Sequence, residues 1–132
     1  MTRKYIVHVE DDRNSKPRPH EYATAEFLAE YFQSDIVFLK RHQSKNPDIY
    51  VLKTNVRWEL KSPTGSGKHT IQNNLRDAGR QSENIILDFY RIGLSEKQGI
   101  SRVNEFIRTE RHGIKRLKIL TKHNGVIDVI KK

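Results

Sequence analysis

The sequence predicts a mixed α/β fold, formed as a single domain by residues 1–132. Short apolar stretches that alternate with polar residues, a pattern typical of half-buried strands, occur near both ends and in the middle of the chain. Three longer segments repeat apolar residues at three- and four-residue steps, which is typical of helices with one buried face. Two pairs of predicted strands are separated by only a few turn-forming residues, which indicates antiparallel hairpins. A chain of this length buries one modest core, so we expect one domain.

Strands and helices are expected in the order β, α, β, β, β, α, β, α, β, β. The stretch "DDRNSKPRPH", which precedes the first helix, is polar and proline-containing and is predicted to be a loop. "NIILDFY" is the most apolar stretch and is predicted to be a central, buried strand. The expected ranges are strand 4–10, helix 20–33, strand 35–41, strands 47–52 and 56–62 around a turn at 53–55, helix 70–82, strand 84–90, helix 95–113, and strands 114–123 and 126–132.

Local signals mark where several of these elements begin and end. Thr70 is predicted to be the N-cap of the second helix. Ser95 and Gln98 have the spacing of a capping box at the start of the third helix, which we expect to end at Gly113. The Asn-Gly pair at residues 124–125 tolerates positive φ angles, so a type I′ turn is predicted between the last two strands.

The composition favours an anionic partner. Twenty-five Lys and Arg residues against sixteen Asp and Glu residues give a formal net charge of +9, which attracts polyanions, and nucleic acid is the leading candidate. Cysteine is absent, so any metal must be held by oxygen or imidazole ligands. No apolar run approaches the length that crosses a bilayer, so we expect no membrane partner.

The first predicted hairpin carries charged residues where a strand accepts neutral ones. Arg57, Glu59 and Lys61 share one face, because successive side chains of a strand point to opposite sides. With a turn at residues 53–55, Asp48 is predicted to be a near neighbour of Glu59, and two such carboxylates repel unless a positive charge lies between them. Mg²⁺ meets this need, since it binds one or two carboxylates, several waters and a substrate phosphate. Lys61 would then orient the attacking water or neutralise charge on the phosphate.

These residues also resemble a known signature. Pro47-Asp48 followed by Glu59-Leu60-Lys61 matches the PD-(D/E)xK pattern of the restriction-endonuclease-like nucleases. The stretches "NPDIYV", "WELKSPTGSGKHTIQNNL" and "RQSENIILD" resemble the C-terminal nuclease domains of contact-dependent growth inhibition toxins. The resemblance implies a restriction-endonuclease-like core of helix, three-stranded antiparallel part, helix and strand, elaborated here by a third helix and a C-terminal hairpin.

The resemblance also implies an activity and a setting. It implies an endonuclease that depends on Mg²⁺, or on another divalent cation such as Mn²⁺, and that cleaves RNA, with tRNA as the favoured substrate. It further implies an acidic immunity protein as a tightly bound partner. The site of action would be cytoplasmic, in a target cell that receives the domain as part of a larger toxin.

Carried over to this chain, the resemblance makes Asp48 and Glu59 metal ligands and Lys61 the catalytic lysine. A further acidic residue on a helix often completes such sites. Glu21 is preferred for this role because it lies at the start of the inward face of the first predicted helix, and Glu26 is the alternative.

Basic residues after the hairpin are candidates for nucleic-acid binding. Lys68, His69 and Thr70 precede or begin a predicted helix, whose N-terminus is suited to a phosphate. Arg76 and Arg80, one turn apart on that helix, would contact the nucleic-acid backbone.

Three other interpretations remain open from the residues. The same acidic pair and lysine would serve a DNA endonuclease. A metal-independent ribonuclease would instead use an imidazole, from His20, His42 or His69, together with Lys61. Finally, the carboxylates would be structural in a nucleic-acid-binding module that has no catalytic activity.

Overall fold

The computed structural model describes residues 4–10, 16–39 and 48–131. Within these ranges, strands and helices follow one another in the predicted order, so the mixed α/β fold class is confirmed. The chain divides into two compact units, Met1–Glu59 and Leu60–Lys132, called here the N-terminal and C-terminal units. The elements are β1 (Val7–Val9), α1 (Pro19–Phe32), β2 (Ile36–Phe38), β3 (Asp48–Val51), β4 (Val56–Lys61), α2 (Thr70–Gly79), β5 (Asn84–Asp88), α3 (Glu96–Thr109), β6 (Arg116–Leu120) and β7 (Val126–Ile130).

The N-terminal unit places a parallel strand pair beside a hairpin. β1 is parallel to β2, so the chain needs a crossover between them, and α1 provides it. Pro19 opens α1, where its fixed φ suits the first helical turn. β3 then pairs antiparallel with both β2 and β4. The buried apolar residues of this unit include Ala25, Leu28, Ala29, Ile36, Phe38, Ile49, Val51 and Trp58.

The C-terminal unit repeats this scheme with different lengths. β5 is parallel to β6 through the crossover helix α3, and β7 pairs antiparallel with β6. β5 is the predicted buried strand, and its apolar residues are fully buried. Gly99 lets α3 approach closely, because a Cβ at this position would lie 2.8 Å from the ring of Phe89. The core of this unit comprises Ile71, Leu75, Ala78, Ile85, Leu87, Phe89, Ile92, Val103, Phe106, Ile114, Leu117 and Ile119.

Three of the predicted helix boundaries were wrong, and the first is the end of α2, which lies at Gly79 and not at residue 82. Thr70 is the first residue of α2 and His69 is its N-cap; the Thr70 hydroxyl instead lies over Gly65, where a Cβ would be 2.8 Å away. α3 ends at Thr109 and not at Gly113. The chain becomes extended at its C-cap, Glu110, and Ile114 then packs in the core.

The type I′ turn was also wrong. Asn124 has a φ of 62°, but Gly125 does not have a positive φ, which a type I′ turn requires. The loop instead comprises residues 121–125, closed by the backbone N–H of Thr121 donating to the carbonyl of Gly125. The Thr121 hydroxyl accepts a hydrogen bond from the Gly125 N–H at 2.8 Å, so a side chain selects this longer loop.

None of the described helices combines the length and the apolar character that crossing a membrane requires.

Candidate functional site

Two acidic side chains face each other across the β3–β4 hairpin. The strand register makes Asp48 the direct partner of Glu59, the neighbour relation that the sequence predicts. Side chains directly opposed in this way have Cβ atoms about 4.5–5.5 Å apart. Glu59 is fully buried, whereas the side chain of Asp48 is 28% exposed. The pair therefore has one carboxylate in the interior and one that solvent reaches.

Arg57 brings a positive charge to the outer member of this acidic pair. It lies two residues before Glu59 on β4, and its Nη1 is 3.9 Å from Oδ2 of Asp48. The guanidinium is half-exposed, so solvent screens this attraction and the ion pair contributes little to stability.

Lys61 lies two residues after Glu59 on the same strand, hence on the same face. Its side chain is only 5% exposed, and its Nζ donates a hydrogen bond to Oδ2 of Asp77 on α2 at 2.6 Å. This bond lowers the pKa of the Asp77 carboxyl; partial burial opposes the shift, while the charges of Lys61 and Arg80 add to it. The sequence analysis missed Asp77, because nothing in the sequence shows that Lys61 is buried and therefore needs a counter-ion.

Glu21 lies at the third position of α1, and it is buried. Its Oε1 accepts a hydrogen bond from the backbone N–H of Arg18 at 2.8 Å, as in a capping box. Glu26, the alternative acid, is half-buried on the same helix. Within residues 4–10, 16–39 and 48–131, no three acidic or imidazole side chains form a group that could hold a metal ion. The role of either glutamate in the site stays a prediction.

The predicted phosphate-binding loop lies within the C-terminal unit. Lys68 and His69 are exposed, and Thr70 is half-buried at the start of α2. The loop is held in place at Gly65, whose carbonyl accepts a hydrogen bond from the Gly93 N–H at 3.2 Å. The side chains of Lys68 and His69 are thus accessible to a ligand, and a backbone hydrogen bond anchors the loop that carries them. Pro47 and His42 of the sequence interpretations lie outside the described residues.

A surface pocket of about 470 Å³ opens on α2. Arg76 is fixed there by Glu110, whose Oε1 accepts hydrogen bonds from Nε at 3.0 Å and Nη2 at 2.8 Å. Arg80 is exposed at the C-cap of the helix. This cavity is called the α2 pocket, and it is lined by Asn73, Asn74, Arg76, Asp77 and Arg80.

Asp88 is a second acidic residue that the sequence analysis missed. It ends β5 and is 5% exposed. Its Oδ1 accepts a hydrogen bond from the backbone N–H of Tyr90 at 3.0 Å, and its Oδ2 accepts one from the Ser62 hydroxyl at 3.4 Å. These contacts shape the turn after the buried strand. The signal in the sequence was a single acid within the most apolar stretch.

Comparison with known proteins identifies the class of this domain. A sequence profile named "Contact-dependent growth inhibition CdiA C-terminal domain" matches residues 45–126, more than half of the chain. The chain belongs to this family, and the resemblance to contact-dependent growth inhibition toxins is confirmed. It is therefore a toxin domain of a kind that is delivered into target cells.

A solved structure shows a similar fold. It is described as "CdiA-CT/CdiI toxin and immunity complex from Burkholderia pseudomallei" and has a TM-score of 0.65. The two chains are 12% identical, and the alignment covers 96% of this chain and 99% of the other. At this identity the likeness shows the fold alone. Comparison with curated proteins gave no significant match.

Proposed function

We propose that this toxin domain is a divalent-cation-dependent endonuclease of the PD-(D/E)xK type that hydrolyses RNA, with tRNA as the favoured substrate. The observation that carries the proposal is the opposed pair of Asp48 and Glu59, with Lys61 two residues further along β4. Two further observations support it. CdiA toxin domains are often nucleases, and the net charge of +9 favours a polyanionic substrate.

The acidic pair has the chemistry of a magnesium site. Directly opposed like charges destabilise a strand pair, and moving a carboxylate out of water costs several kcal/mol unless a positive charge compensates it. Asp48 and Glu59 offer hard oxygen ligands, and Mg²⁺ binds through one or two carboxylates while it keeps several waters. The residues therefore fit Mg²⁺ or Mn²⁺. When bound, such an ion supplies Lewis acidity to a phosphate and lowers the pKa of a coordinated water.

The remaining residues of the proposed site act on the substrate. Lys61 offers a fixed ammonium on the same face as Glu59, where it would stabilise negative charge that grows on the phosphate. Lys68 and His69 would contact the nucleic-acid backbone, and Thr70 would contribute at the start of α2. Glu21 is proposed as an acidic group that acts near the metal without binding it directly. The reason is that its Oε1 already accepts a hydrogen bond at the start of α1.

The proposal is tested by incubating the purified chain with tRNA, other structured RNA, and single- and double-stranded DNA, in Mg²⁺ or in EDTA. The variants are Asp48→Ala and Lys61→Ala, and Glu105→Gln, an exposed acid on α3, is the control. We expect cleavage of RNA that is lost in EDTA and in both alanine variants and retained in the control.

Each other outcome identifies a different function. Cleavage of DNA alone would make the domain a DNA endonuclease with the same site. RNA cleavage that is indifferent to EDTA and to Asp48→Ala would indicate imidazole chemistry. Failure to cleave any substrate would refute the nuclease proposal and favour a binding module.

We also propose an acidic immunity protein as the partner of this domain. The structurally similar chain comes from a toxin and immunity complex, and the positive surface charge of this domain suits a negatively charged partner. Titration of the domain with a candidate acidic immunity protein, followed by size-exclusion chromatography of the mixture, checks this. A tight, salt-sensitive complex is expected, and two proteins that elute separately at low salt would contradict it.

A further inference from the structure

We propose that the α2 pocket binds the phosphodiester chain of the substrate, and that Asp77 is a positioning residue that links this pocket to Lys61. The inference rests on the proposed nuclease function, because it concerns the lysine assigned to catalysis there. It assigns the predicted backbone contacts of Arg76 and Arg80 to a defined pocket, and it adds a role for Asp77, an acidic residue outside the acidic pair of the hairpin.

The first step concerns what holds Lys61. An ammonium that is 95% buried is unfavourable without a counter-ion, because desolvation is not repaid. Asp77 provides that counter-ion from α2 through a hydrogen bond of 2.6 Å. Lys61 has a flexible four-carbon stem, so this bond also selects one position for its Nζ. The side chain of Lys61 thus has a counter-ion and a defined position before any substrate arrives.

The second step concerns where Asp77 lies. Its side chain is 51% exposed, and it is part of the wall of the α2 pocket. The same carboxylate therefore contacts a buried ammonium and faces an open cavity. A ligand that enters this cavity meets the group that orients Lys61.

The third step concerns the ligand that the pocket suits. Its volume of about 470 Å³ is within the range of small-molecule sites, roughly 300–1,000 Å³, so it accommodates a nucleotide-sized group. The lining side chains are charged or amides, which suits a phosphate and its sugar and not an apolar molecule. Arg76 is paired with Glu110, which orients its guanidinium but also offsets its positive charge, so Arg80 is the main attraction for a phosphate in this pocket.

The fourth step concerns charge inside the pocket. Arg80 is close enough to contribute to the lowered pKa of the Asp77 carboxyl. A substrate phosphate would be attracted by Arg80 and repelled by Asp77. Removing the charge of Asp77 should therefore leave substrate affinity unchanged or raise it, and should lower kcat. Loss of a residue with only a structural role would lower both affinity and kcat.

The binding experiment uses fluorescence anisotropy with a labelled 2′-O-methyl RNA oligonucleotide in EDTA, which resists both metal-dependent hydrolysis and attack by a 2′-hydroxyl. Arg80→Gln is expected to weaken binding several-fold and to reduce the slope of log affinity against log salt by about 0.7–0.9. Asp77→Asn is expected to bind as tightly as the wild type or more tightly. Lys97→Gln, which removes an exposed charge at the start of α3, is the matched control and should change affinity less than Arg80→Gln.

The kinetic experiment measures cleavage in Mg²⁺ at saturating and limiting substrate. Asp77→Ala is expected to lower kcat about tenfold or more without raising KM, because Lys61 loses its orienting contact while the repulsive charge leaves the pocket. Asp77→Asn should have an intermediate effect, and Asp77→Glu, which keeps the charge, should restore part of kcat. Circular dichroism verifies folding, and if Asp77→Ala is unfolded the Asn and Glu variants carry the test.

The outcomes separate this inference from the proposed function. If the wild type cleaves nothing, the nuclease proposal fails, but the anisotropy measurement still tests the pocket. If Arg80→Gln and Lys97→Gln weaken binding equally, the α2 pocket is not the binding site. If the variants at Asp77 retain full kcat, Asp77 does not position Lys61.

Discussion

The two hairpins of this domain have similar loops but different charged pairs across their strands: one pairs opposite charges and the other pairs like charges. In β3–β4 and in β6–β7, a loop of a few residues contains an asparagine with positive φ, 57° at Asn55 and 62° at Asn124. Across β6–β7, Lys118 is the register partner of Asp128 and its ammonium donates a hydrogen bond to that carboxylate. Across β3–β4, the corresponding charged pair consists of two acids, the β3–β4 acidic pair of Asp48 and Glu59.

The difference distinguishes a pair that stabilises the fold from a pair that serves a site. Opposite charges across a strand pair contribute roughly 0.2–1 kcal/mol, whereas directly opposed like charges destabilise it. Natural proteins break such local rules mainly at functional sites. The β6–β7 ion pair needs no explanation beyond stability. The β3–β4 acidic pair does, and binding of a cation is the explanation proposed here.

The largest expected effect is on activity, from neutralising one member of the β3–β4 acidic pair. Glu59→Gln, which keeps the side-chain shape, is expected to lower RNA cleavage at least about 100-fold, since each 1.36 kcal/mol of lost transition-state stabilisation is a factor of ten. In EDTA, the melting temperature should stay the same or rise, because a repulsion is removed. Cleavage assays and calorimetry on the same preparation measure both. A lower melting temperature with full activity would show that Glu59 is structural.

A sharper form of this test gives β3–β4 the charge pattern of β6–β7. Asp48→Lys places an ammonium opposite Glu59, which replaces repulsion between two acids by attraction and outweighs the loss of the weak contact between Arg57 and Asp48. We expect an inactive protein that is more stable in EDTA than the wild type, by roughly 0.5 kcal/mol, measured by urea unfolding. A variant that is less stable than the wild type would argue against repulsion between the two acids.

The second expected effect is on stability alone, from breaking the β6–β7 ion pair. Asp128→Asn removes the counter-ion of Lys118, which is largely buried, and should destabilise the domain by roughly 0.5–1 kcal/mol without changing cleavage. A double-mutant cycle with Lys118→Gln isolates the pair energy. Loss of activity in a folded Asp128→Asn protein would mean that this hairpin also takes part in function.

The smallest expected effect is a change in how the stability of the domain depends on acidic pH, caused by substitution of Asp77. This carboxylate on α2 pairs with Lys61 of β4, whereas the acids discussed above lie opposite their partners in a hairpin. Its pKa lies below the ordinary value of 3.8, chiefly because of the hydrogen bond from Lys61. The stability from a lowered pKa is fully present above the unfolded value and is lost as the pH falls through the folded value. Asp77→Asn should therefore lose less stability than the wild type on acidification below 3.8.

Urea unfolding at several pH values on both sides of 3.8 measures this difference. Asp77 is half-exposed, so solvent screening keeps the effect small. Curves for the wild type and Asp77→Asn that stay parallel through the acidic range would show that the ion pair contributes no stability.

Much of the fold was predictable because it depends on local patterns. Strand periodicity and a short loop placed Asp48 next to Glu59, and the register confirms that they are direct partners. The predicted capping box at Ser95 is also present, with its hydroxyl accepting a hydrogen bond from the Gln98 N–H. These features involve residues that are close in sequence, or that are joined by one turn of defined length, so the chain carries the information locally.

The errors occurred where distant contacts override a local signal. Gly113 has the local signature of a helix end, but α3 stops earlier because Ile114 is drawn into the core, beside Gly79 of α2. The sequence also contains nothing that pairs Arg76 with Glu110, thirty-four residues away. A pattern of neighbouring residues in the sequence does not show which distant side chains pack or pair with them in the fold.

The sequence by itself determined the order of the elements, the proximity of Asp48 to Glu59 and the positive charge, because these follow from side-chain alternation, turn length and residue counts. Only the tertiary structure decided that Lys61 is buried and that Asp77, sixteen residues later, is its counter-ion. The physical reason is that the energy of a buried charge depends on every element packed around it. Strand periodicity predicts on which face of β4 Lys61 lies, and only the folded structure shows that its ammonium contacts Asp77.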